Sequence, residues 1–202
     1  DSEEEGEICI GCAGGVDIFA TNTNKKIIPN IDNLDLYEIS ISKLQGGHSG
    51  VDIDKNIPNG IKLIAQTIKE CNGKLLDING GERINSIPVN VKAIIASAVE
   101  PVASHENMVI TKIEAKSEHL NIFDDKIIDF IYDFSNGVRS MNEELKVVQT
   151  SINIAIIKTD ANSVKIEMSA RSMDNEDLKN IKFETIKILQ AYNFNITTNG
   201  KY

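Results

Sequence analysis

Apolar and polar residues alternate strictly along DLYEISISKL, where Tyr37, Ile39 and Ile41 stand against Glu38, Ser40 and Ser42. A period of two predicts a strand with one face buried and the other wet. The same period returns in VVQTSINIAIIK and SVKIEMSAR, which the turn residues TDAN join. In the second of these, Val164, Ile166, Met168 and Ala170 share one face, and Lys165, Glu167, Ser169 and Arg171 the other. The period lengthens to a helical one in IPNGIKLIAQTIKECNG, where Ile57, Ile61, Ile64, Ile68 and Cys71 lie on one side and Asn72-Gly73 supply a stop. Asp124 or Asp125 is placed to cap a second helix, with Ile127, Phe130, Ile131 and Phe134 inward. Asp174 or Asn175 is placed to cap a third, which buries Leu178, Ile181, Thr185, Ile188, Leu189 and Tyr192.

Further strand signals fall at 7–12 and 16–28, parted by Gly14-Gly15, and in KLLDINGG and IPVNVKAIIASAV, joined by the turn GGERINS. NMVITKIEAKSE and FNITTNG read as two more. Helices that each need a sheet face to cover them, with hairpin-length turns between strands, predict an α+β fold: a mostly antiparallel sheet with the helices packed on one face. No proline-rich or low-complexity linker divides residues 1–202, so a single domain is expected.

Composition narrows the function. At 202 residues and 41% hydrophobic content the chain can bury a substantial core, and with no Trp that core is chiefly aliphatic. A net charge of −9 without any cluster of Lys or Arg excludes a nucleic-acid partner and argues against an anionic membrane surface. No apolar run approaches the roughly 20 residues of a membrane span. DSEEEGE is the reverse of a signal peptide's basic and then apolar start, so a cytoplasmic protein is expected. The text opens without Met and in mid-phrase, which suggests an excised piece.

Several motifs fail on inspection. GGHSGV departs from the nucleophile elbow at Val51, and DIDKNI departs from a calcium loop at Ile57 and Leu63. His105-Glu106 lacks the second histidine of a zinc-protease helix, and His105 and His119 read as exposed polar residues. Three cysteines make no disulfide framework, and Cys9 and Cys12 read as buried thiols of a strand rather than a redox or metal pair. Gly11 to Gly15 lacks the spacing of a dinucleotide loop, and the sequon Asn195-Ile196-Thr197 is put down to chance. Three residues remain as candidates. Gly46, Gly47 and Gly50 free the backbone around His48, so its imidazole can be pushed out from a strand end, or it can be a loop histidine bonding a backbone carbonyl. Asn85 reads as a turn residue before the strand that starts at Ile87, and Arg171, which ends the polar row of its strand, as a surface guanidinium.

Taken together, DSEEEGEICIGCAGG, LQGGHSGVDI, LLDINGGERINSIP, FSNGVRSMNEELKVVQTSINIAII and KIEMSARSMD, in this order, resemble the aminoacyl-histidine dipeptidases. These belong to the zinc exopeptidase family that includes carnosinase, aminoacylase and glutamate carboxypeptidase. The resemblance runs from residue 1 to about 98 and again from about 134 to 202. It implies the lid domain of a cytosolic enzyme that cleaves Xaa-His dipeptides with two zinc ions, the lid being inactive when isolated. On this reading residues 1–28 are entry strands from a catalytic domain that is absent here, with lid halves at 35–98 and 107–202. Asp1 matches a zinc ligand, His48 the lid histidine that approaches the scissile carbonyl, and Asn85 and Arg171 the residues that hold the substrate's terminal carboxylate. Implied partners are the dipeptide, the absent catalytic domain and a second copy in a homodimer. A non-catalytic dimerisation module, or the lid of a related zinc aminopeptidase or deacylase, is the alternative. Between Val99 and Met108 the chain carries only EPVASHEN where relatives have a long helix, so a trimmed lid or skipped residues are expected there.

Overall fold

A computed structural model describes residues 13–28, 33–114 and 120–200. In chain order the elements are β1 (Gly14–Asn22), β2 (Lys25–Ile28), β3 (Asp35–Ile41), β4 (Gly47–His48), α1 (Gly60–Glu70), β5 (Lys74–Gly80), β6 (Ser86–Ile87), β7 (Val91–Ser97) and β8 (Met108–Ile113). There follow β9 (Leu120–Phe123), α2 (Lys126–Asp133), β10 (Gly137–Asn142), β11 (Val147–Thr159), β12 (Val164–Ser172), α3 (Asn175–Ala191) and β13 (Asn195–Asn199). Nine strands form the main sheet in the order β13-β1-β12-β11-β5-β7-β3-β8, with β10 also on β11; β2 with β9 and β4 with β6 make two small ribbons. Every pairing described is antiparallel.

The three helices cover one face of this sheet, as the apolar stripes predict. Ile61, Ile64 and Ile68 of α1, Ile127, Phe130 and Ile131 of α2, and Leu178, Ile181 and Leu189 of α3 share one core with Ile39, Ile95, Ile154, Ile166 and Met168 of the strands. The α+β reading therefore holds. On the opposite face a smaller cluster of Leu36, Ala96, Leu120 and Ile122 lies at one side, and Ser151, Asn153 and Ser169 are buried along β11 and β12. Those polar positions alternate with the core residues Ile152, Ile154 and Met168, so they point away from the helices. Among the described residues no helix is long and apolar enough to cross a membrane.

Local chemistry moves several expected boundaries. Helix α1 starts at Gly60, not at Ile57, because Pro58 holds its predecessor out of the helical region and Asn59 caps, its Oδ1 accepting from Ile61 and Lys62 N–H at 3.0 and 3.3 Å. At the start of α2, Asp124 accepts from Lys126 N–H at 3.1 Å, whereas Asp125 has helical dihedrals and caps nothing. Asp174 caps α3 as expected, accepting from Glu176 and Asp177 N–H. The run 16–28 is not one strand. Asn22 accepts from Asn24 N–H at 2.9 Å, turning the chain out of the main sheet into β2. GGERINS is more than a hairpin turn, since Ser86–Ile87 pairs with Gly47–His48. Strand β10 was hidden from the pattern because register shifts at Val138/Ser140 and Ser140/Met141 scramble its alternation. The expected strand at 7–12 with Cys9 and Cys12, along with Asp1 and His119, lies outside the described residues.

Candidate functional site

The β4–β6 ribbon carries two of the three candidates. Gly47 pairs with Ile87 and His48 with Ser86, and Ser49 N–H donates to Asn85 O at 2.8 Å, which sets Asn85 beside the histidine. The sharp entry into this ribbon needs glycine. Gly46 has φ +69°, and a Cβ there would sit 2.6 Å from Val89 Cγ1. Beyond His48 the chain folds back at once, Val51 and Asp52 N–H donating to His48 O at 3.2 and 2.8 Å. Asp52 closes the turn from below, its Oδ2 accepting from His48 N–H at 2.7 Å. The ion pair with Lys55, and then this backbone N–H, hold the Asp52 carboxyl below its ordinary range.

The imidazole is oriented by the backbone. His48 Nδ1 accepts from Gly50 N–H at 3.2 Å and from Val51 N–H at 3.3 Å. Its lone pair is thereby used, and in the neutral ring the proton sits on Nε2, which is then a donor.

Arg171 reaches the same place from the far end of β12, where it stands opposite Ser151 and Gly15. Both side chains adjoin Gly50, where a Cβ would lie 3.1 Å from His48 Cε1 and 3.2 Å from both Cδ and Nε of Arg171. His48, Asn85 and Arg171 are each half-buried. Among the described residues, Arg171 Nε and Ser49 Oγ are buried with no hydrogen-bond partner, so the guanidinium keeps unspent donor capacity. A cleft of about 330 Å³ opens beside the ribbon, lined by His48, Asn85, Ser86 and Asn90 with Glu82 and Arg83 at its exposed margin. Arg171 does not line it.

Sequence reasoning passed over Gly50 as a contact point, and also Glu82, Arg83 and Asp52. The motif GGER flagged a turn, and nothing in its spacing distinguished a cleft margin from a surface loop. Among the described residues no three His, Cys, Asp or Glu side chains gather as a metal would require, and Asp1 lies outside them. The described residues do not by themselves make a zinc site. What they place here are an imidazole and a guanidinium on either side of Gly50 and a carboxamide that shares the cleft with the imidazole; a guanidinium is suited to a carboxylate.

No family model matches the chain. It is similar to the cytosol non-specific dipeptidase of Escherichia coli (strain K12), with 30% identity over 86% of this chain and 41% of the relative. Its fold matches the crystal structure of an aminoacylhistidine dipeptidase from Vibrio alginolyticus at a TM-score of 0.83 and 24% identity, over all of this chain and 46% of that one. The chain thus spans less than half the length of either. The chain is similar to a segment of these dipeptidases rather than to their whole length.

Proposed function

We propose that this chain is the lid of a larger cytosolic dipeptidase, closing over a short substrate whose reacting bond is held by the remainder of the protein. The observation that carries the reading is the meeting of His48 and Arg171 across Gly50. Two groups far apart in sequence, an imidazole and a guanidinium, flank one glycine. A dipeptide offers the complement of that pair, a carbonyl that gains negative charge during hydrolysis and a terminal carboxylate nearby.

In this account His48 Nε2–H donates to the carbonyl oxygen as charge develops on it. The ring is preorganised, because two backbone N–H groups on Nδ1 fix its plane and tautomer before substrate arrives. Arg171 receives the terminal carboxylate, and Asn85 adds a carboxamide from the ribbon. Two zinc ions, when bound by the rest of the protein with Asp1 as one ligand, supply an activated water. The chain by itself supplies recognition and no hydrolysis. The candidate substrates are Xaa-His dipeptides such as β-alanyl-histidine.

A second reading rests on the sheet edges. β13 is an outermost strand, its sequence NITTN carries no charge, and Phe183 beside it is 59% exposed. Among the described residues no strand pairs with the outer side of β13; an edge of this kind suits pairing with a second copy, and such a dimer is compatible with the lid role.

In the full-length protein, His48→Ala is expected to lower turnover of β-alanyl-histidine about 100- to 1,000-fold, the usual loss for an oxyanion donor. The Michaelis constant is expected to change little. Unchanged turnover would remove the role assigned to His48.

A further inference from the structure

We propose that Asn153 is a positioning residue for this site: its buried carboxamide holds the β4–β6 ribbon, and with it His48 and Asn85, in place over the central strand β11. The kinetic part of this inference rests on the function proposed above; the structural part stands without it.

Asn153 is 1% exposed. It lies between Ile152 and Ile154, which face the helices, so its side chain enters the opposite side of the sheet. Both ends of the carboxamide are engaged there. Oδ1 accepts from Asn59 Nδ2 at 3.1 Å, and Nδ2 donates to Ser86 O at 2.9 Å. Ser86 is the ladder partner of His48 and the chain neighbour of Asn85. On the other side, Asn59 Nδ2 also donates to Ile154 O at 2.8 Å, while its Oδ1 caps α1. The orientation is fixed, since a flipped amide at 153 would set two NH₂ groups face to face. A register shift between Ile154 and Ile156 follows at once on β11, a local distortion of the kind that re-aims side chains.

The chain of bonds is therefore helix start, central strand, ribbon. A buried amide in the run SINIAII is costly unless satisfied, and an apolar residue would pack there without such cost. What an apolar residue lacks is the donor to Ser86 O. The remaining described tie between this ribbon's arm and a helix is Gly60 N–H to Pro88 O at 3.0 Å, one residue beyond β6. Asn153 thus supplies the side-chain tie at the ribbon itself.

The test uses the full-length protein with Asn153→Asp, which keeps the shape, loses the donor and sets a carboxylate against the Ser86 carbonyl. Asn59→Asp is the companion, because aspartate still caps α1 but cannot donate to Asn153 Oδ1. Hydrogen–deuterium exchange of peptides spanning residues 44–53 and 82–90 is expected to quicken about tenfold or more in both variants, with residues 35–41 unchanged. Turnover is expected to fall roughly tenfold to hundredfold with the Michaelis constant within about threefold, as misplacement of a reacting group produces. In the double variant with His48→Ala, the loss should be no greater than that of His48→Ala alone. Unchanged exchange in the ribbon peptides overturns the inference, and so do losses that simply add. Should Asn153→Asp fail to fold, Asn59→Asp decides by the same readouts. Should His48→Ala prove silent, the functional reading falls, and exchange alone still decides the anchoring.

Discussion

Gly50 shows how a missing side chain shapes this site. The hydrogen at its α-carbon leaves room for an imidazole edge and a guanidinium stem, and a methyl would stand 3.1 and 3.2 Å from them. Contacts that tight force the neighbours to give. Gly50→Ala removes no functional group, yet it should displace both and lower kcat/KM at least about tenfold in the full-length protein, with thermal stability little changed; steady-state kinetics beside a melting curve checks it. The cluster GGHSG was legible as special from its glycines alone. The direction of the imidazole was not, because it depends on which backbone N–H groups reach Nδ1, and those belong to the turn after His48. Arg171 was legible only as the end of a polar row. Its meeting with His48 depends on two elements folding onto each other, which no local pattern encodes.

Among the elements, α2 is tied down at its C-terminal end from outside. Lys62 of α1 donates to the carbonyls of Ile131, Tyr132 and Phe134 at 2.6, 2.7 and 2.8 Å, satisfying groups that a helix end leaves orphaned. Partial burial pushes its amine below the ordinary lysine range, with Asp133 opposing. Lys62→Met keeps the apolar stem and loses these bonds, so chemical denaturation should report a destabilisation of about 1–3 kcal/mol. The cap of α3 adds a pH dependence. Backbone N–H groups of Asp177 and Glu176 hold the Asp174 carboxyl below its ordinary value. A carboxyl depressed in the folded state stabilises above the unfolded pKa, about 4, and that contribution is lost as pH falls through the folded value. Asp174→Asn, which keeps an acceptor without titrating, should flatten the decline of stability as pH falls below about 4; an unaltered acid profile would rule this out. Strong periodicity made β3, β11, β12 and all three helices readable. The boundaries that moved did so where a side chain intervened: Asn59 at α1, Asn22 at the end of β1, and the bulges of β10.

The whole molecule brings together what the chain keeps apart. His48 and Asn85 ride on a short ribbon, Arg171 on a central strand of the main sheet, and the helices pack on the other face. The composition predicted a fold with an aliphatic core and no basic surface, but it was silent on this assembly, since ribbon and strand meet through tertiary packing. The central claim is that Arg171 and His48 serve one substrate, with the guanidinium on its terminal carboxylate. The most direct test compares a dipeptide with its C-terminally amidated form in the full-length protein, for the native residue and for Arg171→Ala. Amidation should lower kcat/KM of the native protein about tenfold to hundredfold, as loss of a charge-assisted hydrogen bond does, and should leave the Arg171→Ala variant unaffected. An amidation penalty equal in the two proteins would show that Arg171 never touches the carboxylate.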